Sequence, residues 1–151
     1  MSKIKLGLMC PGSWGKSILE AAKGSQEVAF TVCASRRAET AARVAAEYHL
    51  EAAPDYVALL RQDIDGVVIA SPHHQHFEHT LAAAQARKHV FVEKPIANTV
   101  QEAKKMDEAC REAGVTFLVG HSQRRLAGCR TAKRMIESLE FGSPVNAIAY
   151  A

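Results

Sequence analysis

The sequence lacks the features that mark membrane-spanning, disulfide-rich and polyanion-binding proteins. No apolar run approaches the ~20 residues of a membrane helix, and no signal-peptide-like apolar segment follows the N-terminus. The four cysteines are scattered without a C-x-x-C pair, a pattern typical of reduced thiols. The net charge is only +3, which indicates no committed polyanionic partner. We therefore expect a cytoplasmic protein that binds neither a membrane nor nucleic acid.

Two further classes of site are disfavoured by what is missing. A nucleic-acid interface on the basic C-terminal helix would need interleaved aromatic residues, whereas Glu137 and Glu140 share that region. A zinc site is suggested by the histidines in residues 73–79, where His76 and His79 have helical spacing. The segment contains no H-E-x-x-H pattern and no cysteine pair lies near it, so we predict no metal site.

Strand-like and helix-like segments alternate along the chain, which predicts an α/β fold with a doubly wound parallel sheet. The predicted strands cover residues 5–9, 28–34, 66–70, 89–92 and 115–119. The predicted helices cover residues 13–23, about 38–48, 56–61, 76–87, 99–113 and 126–139. Thr99 and Glu102 form a T-x-x-E capping box. Residues 145–150 read as a strand without a successor, which we expect to associate with a sheet edge or a second molecule.

The turn after the first strand is a candidate phosphate-binding site. A dinucleotide-binding turn has the pattern G-x-G-x-x-G, and Cys10, Gly12 and Gly15 stand in its three glycine places. The N–H groups of Ser13, Trp14 and Gly15, at the start of the next helix, would hold negative charge. Because the first glycine is replaced, a plain strand-to-helix turn is an equally open interpretation.

The end of the second strand favours NADP over NAD. NAD-preferring sites place a carboxylate there for the ribose hydroxyls, whereas this chain has Ser35, Arg36 and Arg37, and no carboxylate before Glu39. A serine and two arginines suit a 2′-phosphate through charge-assisted hydrogen bonds. A solvated basic pair is the alternative, but cations are disfavoured at a helix N-terminus unless an anion is near.

The segment VFVEKP at residues 90–95 is the most informative in the chain. Its apolar run predicts a buried strand that Pro95 ends, because proline cannot donate to a sheet ladder. Lys94 then lies at the carboxyl edge of the sheet, where open α/β folds bind ligands. Partial desolvation there can bring the pKa of a lysine into working range, so Lys94 is a candidate proton donor or acceptor. A solvated loop lysine is the alternative.

The histidines after the third strand divide into two groups. His73 and His76 are expected at the same carboxyl edge as Lys94, where they would line a cofactor. His74 and His79 are expected to be solvated or to cap the start of the following helix.

Together, these motifs resemble the amino-terminal domain of the glucose–fructose oxidoreductase/inositol dehydrogenase (Gfo/Idh/MocA) family. The resemblance spans essentially the whole chain and rests on residues 66–72 with His76, on residues 92–95, and on residues 119–124. It implies a Rossmann dinucleotide-binding domain at residues 1–124. A linker helix and the first strand of a truncated substrate domain are then expected at residues 125–151.

By the same resemblance, Lys94 matches the family's catalytic lysine, and Glu93 matches a residue that contacts the nicotinamide ribose. Arg124 resembles the arginine that closes this half of the cleft, and Ser35 with Arg36 is similar to the pair in NADP-using members. The segment that lines the middle of the cofactor is matched by Ser71, Pro72, His73 and His76.

The resemblance implies an NADP- or NAD-dependent dehydrogenase, with NADP preferred, that transfers hydride between nicotinamide and a sugar, polyol or dihydrodiol. A homo-oligomer is expected. The alternative is a dinucleotide-binding module or sensor that performs no chemistry. The 151-residue chain is expected to bind cofactor without turnover, because a cleft with one wall cannot orient a substrate or exclude water.

Overall fold

The computed structural model describes residues 2–139 and 142–146. The chain divides into two compact units, Met1–Gly120 and His121–Ala151. The predicted domain boundary after residue 124 lies close to this division, and the assignment of the second unit to a substrate domain stays a prediction.

The first unit contains a six-stranded parallel sheet. Its strands are β1 (Ile4–Met9), β2 (Val28–Ala34), β3 (Glu51–Ala53), β4 (Gly66–Ile69), β5 (His89–Glu93) and β6 (Phe117–Gly120). The strand order is β3-β2-β1-β4-β5-β6, and each neighbouring pair is parallel. The chain winds from β1 first to one side and then to the other, which confirms the predicted doubly wound Rossmann fold.

Helices connect these strands and start close to the predicted positions. They are α1 (Ser13–Ala22), α2 (Ala38–Tyr48), α3 (Tyr56–Leu60), α4 (His76–Gln85) and α5 (Val100–Glu112). The predicted capping box at α5 is confirmed: Glu102 N donates to Thr99 Oγ1 (3.1 Å), and Thr99 N donates to Glu102 Oε2 (3.2 Å). This reciprocal pair satisfies N–H groups that a helix N-terminus otherwise leaves without acceptors.

Alternating side chains build an apolar core on each face of the sheet. In β4, Val67 and Ile69 belong to one cluster, and Val68 belongs to the other. All three side chains are buried, as expected for a central parallel strand that is covered on both faces. The carboxyl ends of β1 and β4 are thereby held side by side on a rigid platform.

Three strand predictions differ from the structure. β3 was not predicted because its Glu-Ala-Ala sequence lacks β-branched residues; it forms because its backbone pairs with that of β2. β6 begins at Phe117, two residues later than predicted, since the Val115 N–H donates to the Cys110 carbonyl at the end of α5. In the segment 145–150, Val145 and Asn146 are not in a strand, and its other residues lie outside the described residues.

The second unit contains a 3₁₀ helix (Ser122–Arg125) and α6 (Ala127–Glu137), which is slightly shorter than predicted. Large apolar side chains along α6 and its ends are exposed, namely Leu126, Met135, Ile136 and Leu139. Among residues 2–139 and 142–146, no helix has the length and apolar character needed to cross a membrane.

Candidate functional site

The candidate site lies where β1 and β4 are neighbours and the winding direction of the sheet changes. In open α/β sheets, ligands bind at the carboxyl ends of the strands at such a switch point. A pocket of about 430 Å³ opens there between the turn after β1 and the loops after β2 and β4. A second pocket, of about 310 Å³, lies beside the ends of β4 and β5.

The turn after β1 keeps the backbone of a glycine turn although its first glycine is replaced. Cys10 has a φ of 60°, in the left-handed region that favours glycine. Its N–H donates to the Ala34 carbonyl (2.8 Å), and the Gly12 N–H donates to the Cys10 carbonyl (2.7 Å). A non-glycine residue in this conformation costs about 1–2 kcal/mol. The chain therefore retains the turn at some cost in stability.

The two remaining glycines have different surroundings. A Cβ added at Gly12 would meet no atom within 4 Å, so the space above this residue is open. A Cβ at Gly15 would lie 3.1 Å from the Cys10 carbonyl oxygen, so Gly15 allows α1 to pack closely against the turn. Gly12 is also the residue that precedes α1, whose first N–H groups at Ser13 and Trp14 have no acceptor one helical turn earlier. The structure therefore offers an open, positively polarised cradle at Gly12.

The loop after β2 places two exposed arginines beside this cradle. Arg36 and Arg37 line the larger pocket together with Gly12 and Ser35. Ser35 Oγ accepts a long hydrogen bond from the Arg37 N–H (3.4 Å), and Arg37 itself precedes α2 without a side-chain cap. Neither guanidinium pairs with a carboxylate of the residues that the structure describes. Two unpaired cations at a helix N-terminus suit an anionic ligand.

The loop after β4 is held by two buried histidines of α4. His76 contacts the Ser71 carbonyl through Nε2 and the Pro95 carbonyl through Nδ1, both at 2.8 Å. His79 Nδ1 lies 3.0 Å from Ser71 Oγ. The relative exposures of Ser71, His76 and His79 are 5%, 0% and 4%. The prediction of a solvated or capping His79 is therefore wrong, because Ser71 supplies a polar partner inside the protein.

His79 also packs against a neighbouring aromatic residue. The rings of Tyr56 and His79 have centroids 4.6 Å apart, and the Tyr56 hydroxyl donates to Glu78 Oε1 (2.6 Å). Burial lowers the pKa of His79, and the nearby carboxylate of Glu78 opposes this effect. Tyr56 and Glu78 were not predicted as site residues. Their positions on consecutive helices were the available signal, but no sequence feature indicated that these helices meet.

The second pocket brings together Lys94 and several other predicted residues. It is lined by Trp14, Ala70, Ser71, His73, His76, Glu93 and Lys94. His73 is exposed and its ring meets that of His76 edge-on, with centroids 5.7 Å apart. Pro72 and His74 are exposed and line the larger pocket instead.

Lys94 and Glu93 differ in how far the protein shields them. Lys94 is exposed, so the partial desolvation expected of it is not provided by the first unit. Glu93 is buried, and its Oε2 accepts a hydrogen bond from the Lys94 N–H (3.2 Å). A Cβ at Gly120 would lie 2.7 Å from Glu93 Oε1, so the carboxylate in its present position packs directly against this glycine. The peptide bond between Lys94 and Pro95 is cis.

Arg124 belongs to the 3₁₀ helix of the second unit, and its predicted place in the cleft stays a prediction.

Within residues 2–139 and 142–146, no group of three His, Cys, Asp or Glu side chains is arranged to hold a metal ion.

The matching family model identifies the family of this chain. Residues 6–121 match the Gfo/Idh/MocA model, which describes an oxidoreductase family with an NAD-binding Rossmann fold. The chain belongs to this family. The matched segment includes the glycine turn, the loop after β4 and the Glu93-Lys94-Pro95 triplet.

Relatives of known activity are similar over most of this chain. A 4-carboxy-2-hydroxymuconate-6-semialdehyde dehydrogenase from Sphingobium sp. is 33% identical over 80% of this chain and 39% of its own length. A levoglucosan dehydrogenase from Pseudarthrobacter phenanthrenivorans is 35% identical over 74% of this chain and 29% of its own length.

A solved structure shows the same fold. The WlbA dehydrogenase from Bordetella pertussis, in complex with NADH and UDP-GlcNAcA, superposes with a TM-score of 0.89 at 29% identity. The match covers 93% of this chain and 44% of that protein. The chain thus spans less than half the length of these relatives.

Proposed function

We propose that this chain is the cofactor-binding part of an NADP-dependent dehydrogenase that acts on a sugar, polyol or dihydrodiol. The observation that supports this most directly is the open cradle at Gly12, which lies at the switch point of the sheet beside two unpaired arginines. The residues present therefore fit a dinucleotide with an additional phosphate.

Each part of the cleft would hold one part of the cofactor. The N–H groups at the start of α1 would bind the pyrophosphate, and Ser35, Arg36 and Arg37 would bind the 2′-phosphate. The middle and the nicotinamide end of the dinucleotide would lie in the second pocket, whose lining residues include Ser71, His73 and Glu93. When bound, the dinucleotide would supply or accept a hydride.

Lys94 is proposed to move the proton of the substrate hydroxyl at its Nζ atom. The backbone around Lys94 is held at two points: the Lys94 N–H donates to Glu93 Oε2, and His76 Nδ1 contacts the Pro95 carbonyl. Its exposed side chain would be shielded from water only once a second surface covers it. The sugar or polyol class is supported by the names of two relatives, one a levoglucosan dehydrogenase and one a dehydrogenase bound to UDP-GlcNAcA.

The test is a calorimetric titration of the chain with NADP⁺ and with NAD⁺ at one salt concentration. A charge-assisted hydrogen bond contributes about 1.5–3 kcal/mol, so NADP⁺ should bind at least about tenfold more tightly. Arg36→Ala should remove most of this preference. Arg43→Ala, which removes an exposed arginine within α2, is the matched control and should leave it unchanged.

Equal affinity for the two cofactors would contradict the NADP assignment, and binding of neither would contradict the proposed function as a whole. Binding without turnover by a longer protein that includes a substrate domain would favour the dinucleotide-binding module instead. The homo-oligomer and the cytoplasmic location stay predictions.

A further inference from the structure

Both polar groups of Ser71 are held by histidines of one helix. His76 Nε2 contacts the backbone carbonyl of Ser71 at 2.8 Å, and His79 Nδ1 lies 3.0 Å from its hydroxyl oxygen. His76 Nδ1 also lies 2.8 Å from the Pro95 carbonyl, so this ring contacts the loops after β4 and β5 at once, and a neutral ring donates to one of the two carbonyls. Ser71 lines both pockets of the cleft. Ser71 is therefore a rigidly placed polar residue between the two ends of the candidate cofactor site, with 5% of its surface exposed.

The direction of the bond between Ser71 and His79 decides what this hydroxyl offers to a ligand. A serine hydroxyl has one proton, and a neutral imidazole has one N–H and one lone pair. If His79 Nδ1 accepts, the Ser71 proton points away from the cleft. If His79 Nδ1 carries the proton and donates, the Ser71 proton is free to point into the cleft.

The chemistry of the cleft favours a donor at Ser71. A dinucleotide presents phosphate, ribose and carboxamide oxygens, which are mainly hydrogen-bond acceptors. We propose that His79 is a positioning residue that, as the Nδ1–H tautomer, donates to Ser71 Oγ and directs the Ser71 hydroxyl proton toward an oxygen of the bound dinucleotide. This inference rests on the proposed function. It adds His79 to the candidate site as a residue that acts on the cofactor only through Ser71.

The groups around His79 are compatible with a neutral ring. Tyr56 packs against the imidazole, and its hydroxyl donates a hydrogen bond to the carboxylate of Glu78. His74 and His76 both disfavour a charge on His79, Glu78 favours one, and burial has the largest effect, which lowers the pKa of His79. At neutral pH the ring thus has a single N–H to place, so its tautomer decides the direction of the bond.

The first measurement needs no cofactor. Nitrogen-15 NMR of the histidine side chains at pH 7.5 distinguishes the Nδ1–H tautomer from the Nε2–H tautomer. We expect His79 to be the Nδ1–H tautomer, with its resonances assigned by comparison with His79→Asn. An Nε2–H tautomer would overturn the inference whatever the chain binds.

The second measurement is a double-mutant cycle on NADP⁺ affinity. Ser71→Ala and His79→Leu should each weaken binding by about threefold to tenfold, the effect of one neutral hydrogen bond. In the Ser71→Ala background, His79→Leu should cause no further loss, because the two residues act through one hydroxyl. Urea unfolding of each variant confirms that the chain remains folded.

Two amide variants test whether the effect of His79 depends on its Nδ1 atom. The side-chain amide of asparagine reaches the position of Nδ1, whereas that of glutamine reaches the position of Nε2. His79→Asn should therefore restore affinity close to that of the native chain, and His79→Gln should not. His49→Asn is the control for the loss of a histidine, because His49 is exposed and has a left-handed backbone that asparagine tolerates.

The outcomes separate this inference from the proposed function. If the native chain binds NADP⁺ and His79→Leu binds equally well, the positioning role is refuted and the proposed function stands. Equal losses from His79→Leu with and without the Ser71 hydroxyl would also refute it, because the effect would then be structural. If the native chain binds neither dinucleotide, the proposed function and this inference both fail.

Discussion

Replacing Gly12 by alanine should separate ligand binding from folding. The added Cβ meets no protein atom within 4 Å, and the backbone at φ −71° and ψ −165° is accessible to alanine. Reduced freedom of the unfolded chain favours alanine by about 0.4–1 kcal/mol, whereas the position before α1 favours glycine by about 0.5 kcal/mol. The two effects nearly cancel, so the free energy of unfolding should change little. The methyl group would nevertheless occupy the cradle, and NADP⁺ affinity should fall by at least about tenfold.

Gly15→Ala is the matched comparison within the same turn. Its Cβ would lie 3.1 Å from the Cys10 carbonyl oxygen, so α1 or the turn must move by a few tenths of an ångström. This cost opposes the about 0.5–1 kcal/mol by which alanine is favoured over glycine within a helix, so the free energy of unfolding should not rise. Urea unfolding and calorimetric titration of both variants measure the two quantities. Native affinity in Gly12→Ala would refute the reasoning, because the open space above Gly12 would then not be where the cofactor binds.

Three further predictions concern the buried carboxylate, the thiols and the buried histidine. In Gly120→Ala the added Cβ would lie 2.7 Å from Glu93 Oε1, the end of a flexible side chain, so the carboxylate should move aside. The free energy of unfolding should therefore fall only by the lower end of the about 1–3 kcal/mol that overpacking costs; a loss at the upper end in urea unfolding would contradict this. A thiol reagent at pH 8 should modify the exposed Cys129 first, and Cys129→Ser should abolish the fast phase. Burial protects the other thiols: it raises the pKa of Cys33 and of Cys110 to about 11, and also raises that of Cys10. Because the pKa of His79 is lowered in the folded chain, the unfolded chain binds a proton first as the pH falls. The free energy of unfolding should therefore decrease below about pH 6.5. A pH-independent difference in this free energy between the native chain and His79→Asn would contradict the prediction.

The parts of the fold that the sequence predicted well are those in which local and global preferences agree. The apolar run of β4 is buried along its whole length and that of β2 over its last three residues, and the capping box of Thr99 and Glu102 satisfies its own helix end. The turn after β1 was left open because Cys10 replaces a glycine. The structure shows that the backbone keeps the left-handed conformation all the same.

The burial of His79 was missed because a polar side chain was taken as solvent-exposed. Its spacing from His76 already placed both residues on one face of α4, and Ala83 continues that face into the core. Burial of a histidine requires a partner, however, and the partner is a hydroxyl in a different loop, eight residues earlier in the chain. A pattern along one helix does not contain that information.

The position of Lys94 was predicted correctly at the strand end, but its environment was not. Lys94 is exposed, whereas Ser71, His76 and Glu93 beside it are buried and hydrogen-bonded, and this contrast indicates two roles for this sheet edge. Within the first unit, the residues that would bind and orient the cofactor are positioned by their neighbours: the cradle by the turn after β1, and Ser71 by the two histidines. Proton transfer additionally needs an environment with little water, which the first unit does not supply at Lys94. Affinity for the dinucleotide should therefore be a property of this unit, whereas the reactivity of Lys94 should depend on whatever surface covers it.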